Sequence, residues 1–228
     1  MRINKQKFCF IICTTDDFYL NECCMYINQL NIPQGFSVEI LPIRDAKSMT
    51  AGYNQGMAST DAKYKVYLHQ DVTIMNPNFL NDVLLVFKQD YRIGMIGMIG
   101  SPVLSSCGVM WYGERVGNLY EIDRNNVDFN GYEYRKEDGM TDVEAVDGLL
   151  MVTKDDLPWR EDLFDGWDFY DVSQSFEFRK KGYRVVVPEQ KKPWCAHDDG
   201  TMNLWSYDRY RRIFLAEYAS MIHTYQTL

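Results

Sequence analysis

The stretch Tyr64-Lys65-Val66-Tyr67-Leu68-His69-Gln70-Asp71-Val72 decides how this chain is interpreted. Its first part, Tyr64 to Leu68, is rich in Val and Tyr and predicts a short strand, and a polar step ending in Asp71 follows it. Ligands of α/β proteins bind in the crevice beyond the carboxyl ends of the strands. A hard divalent cation at such a place needs oxygen ligands, and Asp71 can supply one. The alternative is that Asp71 caps the next segment or makes a turn with Asn76-Pro77.

Strand and helix patterns alternate along the first hundred residues around this stretch. The unbroken apolar run from Phe8 to Cys13 predicts a strand buried on both faces. Apolar residues at three- and four-residue steps predict helices, most clearly from Asn78 to Asp90. The predicted elements are strand 8–13, helix 18–30, strand 36–42, helix 47–59, strand 64–68, helix 78–90 and strand 93–99. This alternation predicts an α/β protein with a mostly parallel central sheet and helices on both faces.

The second part of the chain follows a looser pattern. Residues 101–145 are rich in Gly, Asn, Asp and Tyr, which predicts loops and short antiparallel strands. Within them, residues 112–142 form either a mobile lid over the substrates or a rigid β-hairpin. Beyond them we expect strand 146–153, helix 169–181 ended by Gly182, strand 183–188 and helix 203–225. No repeat or linker divides the chain, so we expect one domain over residues 1–228.

Composition narrows the classes of partner. Apolar residues make up 46% of the 228 residues, which is enough for a full core. The net charge is −8 and no basic block is present, which argues against a nucleic-acid polymer as a partner. No segment approaches the length of a membrane span, and the six cysteines show neither a CxxC pair nor a zinc spacing. These features predict a cytoplasmic protein with reduced thiols and no transmembrane segment.

The common motifs for nucleotide binding and for a serine nucleophile are missing. The sequence contains no GxxxxGK[ST] loop and no GxSxG elbow. Gly94, Gly97 and Gly100 give GxxGxxG rather than GxGxxG, and they lie inside or at the end of a predicted strand. We interpret these glycines as positions of close backbone packing.

Four segments in order resemble the family-2 glycosyltransferases of GT-A fold. They are the opening strand Phe10–Asp16, the Asn-x-Gly-like helix Ala51–Gly56, His69-Gln70-Asp71 at the place of Asp-x-Asp, and 164–183 at the place of the Glu-Asp helix with its Gly-Tyr ending. His-Gln-Asp, Val146-Asp147-Gly148 and a late histidine are most similar to the StrF-type branch, named for streptomycin biosynthesis. The chain departs from the family pattern at three positions, with His69 for the first Asp of Asp-x-Asp, Tyr170 for the Glu of Glu-Asp, and Cys13 for Pro.

The resemblance implies a fold and an activity. The fold is a three-layer α/β/α sandwich with a donor-binding half at about 1–100 and an acceptor-side half at about 101–228. The activity is transfer of a sugar from a nucleotide-diphosphate donor, a UDP-sugar, to a hydroxyl of a carbohydrate or small-molecule acceptor. The resemblance also implies inversion, a divalent cation (Mn²⁺ or Mg²⁺), and a place in polysaccharide or secondary-metabolite assembly.

Candidate site residues follow from the chemistry that such a transfer needs. A cation that stabilises the leaving diphosphate has Asp71 and His197 as its candidate ligands, although His197 fits a loop histidine as well. His69 is a further candidate ligand or a strand-end residue bonded to backbone. For the donor, the strand ends and the loops near them supply Thr14, Asp16, Asp45, Asn54, His69, Gln70 and Asp147. Asp16 can instead cap the first helix.

The acceptor side needs a general base and a surface for a sugar ring. Asp171 falls on the Asp of the family's Glu-Asp pair and is the first candidate base, with Asp168 as the second. Trp111 and Trp167 can stack on a sugar ring, or belong to the core or an interface. The basic residues Arg209, Arg211 and Arg212 of the last helix either reach a diphosphate or form a solvated helix face.

Two other functions compete with sugar transfer. A nucleotidyltransferase shares the α/β layout, but it needs a basic Gly-rich loop where this chain has Thr14-Thr15-Asp16-Asp17. A non-catalytic nucleotide-sugar-binding module of the same fold is favoured by the loss of one carboxylate at His69. Binding of UDP with and without Mn²⁺ separates these alternatives.

Overall fold

Thirteen strands and five α-helices make up the part of the chain that the structure describes, which is residues 2–122, 129–133 (backbone only), 139–198 and 204–222. The structure is a computed structural model. The strands are β1 (Asn4–Thr14), β2 (Ser37–Arg44), β3 (Ala62–His69), β4 (Val72–Ile74), β5 (Ile93–Gly97), β6 (Ile99–Ser101), β7 (Val116–Ile122), β8 (Phe129–Glu133), β9 (Met140–Asp142), β10 (Ala145–Val146), β11 (Leu150–Thr153), β12 (Arg184–Pro188) and β13 (Cys195–His197). The helices are α1 (Asp17–Ile27), α2 (Met49–Ser59), α3 (Phe79–Gln89), α4 (Tyr170–Lys180) and α5 (Tyr207–Tyr218).

The main sheet has seven strands in the order β2-β1-β3-β11-β5-β12-β9. Strand β1 runs parallel to β2 and β3, and β12 runs parallel to β5. Strand β11 lies antiparallel between β3 and β5, and β9 is antiparallel to β12, so the sheet is mixed, but its other five strands run in the same direction and the prediction of a mostly parallel sheet is confirmed. Strand β11 follows β10 after residues 147–149, without the crossover helix that a parallel neighbour requires.

Helices cover both faces of the main sheet. On one face, Phe8, Phe10 and Ile12 of β1 pack in a cluster that includes the apolar side chains of α1 and α3. On the other face, Cys9 and Ile11 pack in a second cluster with side chains of α2 and α4. Because successive side chains of a strand point to opposite faces, an apolar run such as β1 can face a helix layer on both sides. The predicted three-layer α/β/α sandwich is confirmed.

The second sheet carries short strands in the order β10-β6-β7-β13-β4, with β8 paired to β7. The chain passes from the main sheet into this sheet directly after β3, through Gln70 and Asp71 into β4. Strand β13 pairs with β4 and β7, which places His197 opposite Val72 on one side and opposite Glu121 on the other. Strands β4 and β13 have three residues each, too few for a periodic pattern, and the sequence did not predict them, whereas β9 lies within the residues for which short antiparallel strands were predicted.

Gly94, Gly97 and Gly100 allow other parts of the chain to pack closely against β5 and β6. A Cβ at Gly97 would lie 2.4 Å from the Val146 Cβ, and one at Gly94 would lie 2.6 Å from the Phe178 ring. At Gly100 it would lie 2.6 Å from the backbone oxygen of Ala145. The interpretation of this GxxGxxG pattern as close packing is confirmed.

None of the helices in the described ranges has both the length and the apolar character needed to span a bilayer. The longest of them, α5, has 12 residues and is polar on one side.

Candidate functional site

Three potential metal ligands meet at the edge where β3 ends. His69 is the last residue of β3, and Asp71 follows in the short link to β4. His197 ends β13, and the pairing of β13 with β4 brings it beside Asp71, where the Asp198 N–H also donates to the Asp71 carbonyl at 3.1 Å. The backbone N–H of His69 is fixed by the Leu149 carbonyl at 3.0 Å. The link from β3 to β4, the pairing of β13 with β4 and the hydrogen bond to Leu149 therefore determine where these side chains lie.

The three ligand atoms form a triangle. Asp71 Oδ1 lies 3.4 Å from His197 Nε2 and 3.9 Å from His69 Nδ1. His69 Nδ1 and His197 Nε2 are 3.4 Å apart. All three residues are half-buried, and their ligand atoms lie within 4.8 Å of one another. Donors that each stand about 2.1 Å from one ion lie at most about 4.2 Å apart, so this spacing fits a single cation.

The chemistry of the cluster also fits a cation. Asp71 Oδ1 is buried and accepts no hydrogen bond from the described residues. Burial opposes the charge on Asp71, but the two histidines more than offset it and lower the pKa of this carboxyl. Burial, followed by the neighbouring His197, lowers the pKa of His69 to about 4, so its ring is neutral at neutral pH. An ionised carboxylate and a neutral imidazole are the forms that bind metals.

One cavity, of about 280 Å³, opens on the side of β1 and β2. Thr14, His69, Gln70, Asp71 and Trp167 are among the residues that line it. We name it the donor-side cavity. It lies where the carboxyl ends of β1 and β3 meet, which is where α/β folds bind nucleotides.

Gln70 joins the two strand ends of the donor-side cavity. Its Oε1 accepts hydrogen bonds from Thr14 Oγ1 at 2.9 Å, from Thr15 N at 2.9 Å and from Asp16 N at 3.1 Å. One amide oxygen therefore holds the turn after β1 against the end of β3. Gln70 and Thr14 line the cavity as the sequence predicted, and part of their hydrogen-bonding capacity is used to build its wall.

The other predicted donor residues are placed differently. Asp16 caps α1, since its Oδ1 accepts from Phe18 N at 2.8 Å. Asp45 is exposed just beyond β2, with a left-handed φ of 56°. Asn54 binds the Trp159 backbone through both ends of its amide, at 2.9 Å each. None of the described cavities has Asp16, Asp45 or Asn54 in its lining. A direct contact of these residues with a donor stays a prediction.

A second cavity, of about 530 Å³, lies on the other side of the metal-ligand cluster. We name it the acceptor-side cavity. Trp111, Trp167 and Tyr207 give it aromatic walls, and His69 and His197 form its boundary with the cluster. Trp167 lines both cavities. The side chains of Trp111 and Trp167 are about half exposed, so their rings are open to a ligand.

Both predicted bases line the acceptor-side cavity. Asp171 lies in the first turn of α4, and its carboxylate accepts hydrogen bonds from Gly148 N at 2.9 Å and from Val172 N at 2.8 Å. Burial, with a smaller contribution from Asp147, raises the pKa of Asp171 to about 7. Asp168 lies before the helix and accepts a hydrogen bond from Ser206. Asp147 accepts from Leu149 N at 2.9 Å and also lines this cavity.

The basic residues of α5 are paired on the helix surface. Arg209 contacts Asp165 at 3.1 Å, and Arg211 and Arg212 contact Asp208 at 2.6 and 2.7 Å. These contacts favour the solvated helix face. Of the predicted lid at 112–142, strands β7 and β8 form an antiparallel pair, while residues 123–128 and 134–138 lie outside the described residues. The lid therefore stays a prediction.

The sequence did not identify every residue that the structure places at the site. Tyr170 was noted only as a departure from the family's Glu, yet its hydroxyl contacts His69 Nε2. Arg115, Glu121 and Tyr207 also line the acceptor-side cavity. No motif or periodic pattern in the sequence around these three residues indicates that they belong to the site.

Known proteins resemble this chain in sequence or in fold. A sequence model of the glycosyltransferase-like family matches residues 9–218. Among curated proteins, none matches this chain.

Several solved structures share the fold at low sequence identity. TarS 1–349 from S. aureus, in complex with UDP, has a TM-score of 0.56 at 10% identity over 92% of this chain. GalNAc-T7 with UDP, GalNAc and Mn²⁺ has a TM-score of 0.59 at 10% identity over 94%. A mutant Drosophila beta-1,4-galactosyltransferase 7, with manganese, UDP-Gal and xylobiose, has a TM-score of 0.53 at 15% identity over 90%.

These similarities confirm the GT-A fold. The chain spans only part of the structures it resembles: 65% of TarS 1–349, 49% of GalNAc-T7 and 73% of the galactosyltransferase.

Proposed function

This chain belongs to the glycosyltransferase-like family, and we propose that it transfers a sugar from a nucleotide-diphosphate donor to an acceptor hydroxyl with the help of a divalent cation. The observation that carries the proposal is the cluster of His69, Asp71 and His197 between two cavities. A transferase has to hold a donor and an acceptor on either side of the bond that is exchanged. The position of the cluster, at the boundary of both cavities, meets this requirement.

The donor-side cavity supports a nucleotide diphosphate. It is bounded by the carboxyl ends of β1 and β3, and the Gln70 amide fixes its wall before any ligand arrives. A wall that needs no reordering lowers the entropic cost of binding. TarS and GalNAc-T7 carry UDP in their structures, and we propose a UDP-sugar as the donor here.

The residues that would hold the cation are Asp71, His69 and His197. A divalent cation bound there supplies a Lewis acid for the leaving diphosphate. Two imidazoles and one carboxylate suit Mn²⁺ better than Mg²⁺, because Mg²⁺ strongly prefers oxygen ligands. Mn²⁺ accompanies UDP in GalNAc-T7, and we propose Mn²⁺ for this chain.

Asp171 is the base that we propose for the acceptor hydroxyl. It lines the acceptor-side cavity, and two backbone N–H groups fix the direction of its carboxylate. Its pKa of about 7, which burial raises, is close to the working pH expected for an efficient general base. Trp111 and Trp167 offer faces on which the acceptor sugar can stack. One base and one displacement give inversion at the transferred carbon.

We also propose that residues 1–228 act as one domain and that the chain belongs to the StrF-type branch, with a role in polysaccharide or secondary-metabolite assembly. The support for the branch is the residue pattern His69-Gln70-Asp71, Asp147-Gly148 and the late His197, and the support for one domain is that no repeat or linker divides the sequence.

The non-catalytic binding module remains the second candidate. The observation in its favour is the imidazole of His69 at the place of a carboxylate, which leaves one carboxylate in the cluster. It predicts UDP binding without turnover of any UDP-sugar.

Calorimetry with UDP tests the proposal. We expect Mn²⁺ to strengthen UDP binding by the wild-type protein and Asp71→Asn to remove most of this gain. Asp61→Asn is the matched control, because Asp61 precedes the same strand at its opposite end, where it pairs with Lys7. The proposed metal site is contradicted if Mn²⁺ does not change the UDP affinity of the wild type, or if Asp71→Asn keeps the full gain in affinity from Mn²⁺. Release of UDP from a panel of UDP-sugars then separates an enzyme from a binding module.

A further inference from the structure

The His69 ring is engaged through both of its nitrogens. Nδ1 faces the triangle, at 3.4 Å from His197 Nε2 and 3.9 Å from Asp71 Oδ1. Nε2 makes a hydrogen bond with the hydroxyl of Tyr170. A neutral imidazole carries one proton, so the two nitrogens cannot both be donors or both be acceptors.

The partner of Nε2 therefore affects whether Nδ1 can bind a metal. If the proton is on Nδ1, that nitrogen has no lone pair for a cation. If it is on Nε2, the ring donates to the Tyr170 oxygen, and the Nδ1 lone pair points into the triangle. Histidines that bind metals donate their other N–H to a fixed acceptor in this way, which sets both tautomer and ring orientation. Here Tyr170 stands in the place of that acceptor.

Tyr170 is held firmly enough to serve as a fixed acceptor. It is 4% exposed, and its ring packs against Tyr53 and Trp159 with centroids 5.9 and 6.3 Å away. A tyrosine hydroxyl titrates at about pH 10 in water, so the Tyr170 hydroxyl is neutral at neutral pH. A neutral hydroxyl can accept from His69 without adding a further negative charge near Asp171.

Gly148 makes the space for this hydroxyl. A Cβ at residue 148 would lie 2.1 Å from the Tyr170 oxygen and 2.5 Å from the ring carbon that bears it. Residue 148 is not among the glycines with positive φ, so its backbone conformation does not demand glycine. The lack of a side chain at 148 is thus explained by the room that Tyr170 needs.

We propose that Tyr170 is a positioning residue that keeps the proton of His69 on Nε2, presents Nδ1 to the divalent cation, and makes His69 the third protein ligand beside Asp71 and His197. This inference rests on the proposed metal-dependent function. It assigns a task to the tyrosine that stands where related transferases carry a glutamate.

Titration of the protein with Mn²⁺ alone, followed by calorimetry, tests the proposal without any need for substrate. We expect Tyr170→Phe to weaken Mn²⁺ binding by about 10- to 100-fold, the usual effect of losing such a partner. Tyr53→Phe is the matched control. Tyr53 is fully buried beside Tyr170, and its hydroxyl has no hydrogen-bond partner among the described residues. This variant should bind Mn²⁺ like the wild type.

A second variant moves the hydroxyl without removing it. Gly148→Ala should displace the Tyr170 side chain and weaken Mn²⁺ binding to a similar degree, while the double variant Gly148→Ala/Tyr170→Phe should be no weaker than either single one. Nitrogen NMR of the protein loaded with diamagnetic Zn²⁺ gives the tautomer directly. We expect the His69 proton on Nε2.

Each outcome has a distinct meaning. Equal Mn²⁺ affinity of Tyr170→Phe and wild type, or a His69 proton on Nδ1 in the Zn²⁺-loaded protein, overturns the role of Tyr170 and leaves the proposed function intact. Failure of the wild type to bind Mn²⁺ overturns the metal site and, with it, both the metal-dependent function and this inference.

Discussion

Replacing Asp171 with Asn should change how the stability of the protein depends on pH. The Asp171 carboxylate lies in the acceptor-side cavity, and burial and Asp147 raise its pKa from 3.8 to about 7. Asn has nearly the same shape but carries no charge at any pH. It keeps one oxygen for Gly148 N or Val172 N and loses the second accepted hydrogen bond.

The size and sign of the effect follow from proton binding. Between pH 3.8 and about 7 the folded protein binds more protons at Asp171 than the unfolded chain does. Wild-type stability therefore falls as the pH rises through this range and stays at the lower level above it. The full pKa difference corresponds to at most about 4 kcal/mol, and the part between pH 5 and 7 to about 2–3 kcal/mol. The lost hydrogen bond costs about 1–3 kcal/mol at every pH.

Urea unfolding at several pH values between 5 and 8 measures this difference. As the pH rises across that range, we expect the free energy of unfolding of Asp171→Asn to increase by about 2–3 kcal/mol relative to that of the wild type. Asp162→Asn is the control. Arg160 lowers the pKa of Asp162, so its carboxyl is ionised in both states throughout this range and the control should show no trend. A flat difference between Asp171→Asn and wild type would refute the assignment of a raised pKa to Asp171.

Three further predictions concern catalysis, the cation and the core. Asp171→Asn should lower sugar transfer by about 10²- to 10⁴-fold while UDP-sugar binding, measured by calorimetry, survives; normal turnover would move the base to another residue. Mn²⁺ should bind at least about tenfold more tightly than Mg²⁺, and His197→Ala should reduce that preference in a direct titration; equal affinities would argue against imidazole ligands. Arg179→Met should cost about 3–5 kcal/mol in urea unfolding, because Arg179 pairs with the buried carboxylate of Glu144 at 3.0 Å; a loss below about 1 kcal/mol would show that the carboxylate finds another partner.

The sequence predicted the elements whose pattern is long enough to read. The apolar run of β1 predicted a strand covered on both faces, and Gly94, Gly97 and Gly100 predicted close packing. The direction of β11 could not be predicted, because it depends on a connection from the second sheet and not on the residues of the strand. Strands of three residues, such as β4 and β13, carry no periodicity at all.

Only part of the candidate site could be predicted, because the rest depends on contacts between residues far apart in the sequence. Asp71 stood out because it follows a strand, and His197 because of the family resemblance. The contact of His69 with Tyr170 joins residues 101 positions apart, and that of His69 with His197 joins residues 128 positions apart. The pairing of β13 with β4 brings His197 to His69, and the position of the first turn of α4 brings Tyr170 to His69. No local pattern around His69 or Tyr170 contains that information.

The central place of β11 also sets the order in which the chain can complete its fold during synthesis. Strands β3 and β5 do not pair with each other, because β11 lies between them and binds both. Strand β11 begins about 50 residues after β5 ends, which takes about 3–10 s at ordinary translation rates. Throughout that interval the facing edges of β3 and β5, with apolar Val66, Leu68 and Ile96, have no partner strand. Unpaired strand edges can pair with other chains, so the nascent polypeptide is exposed to aggregation at this part of the sheet until β11 has left the ribosome.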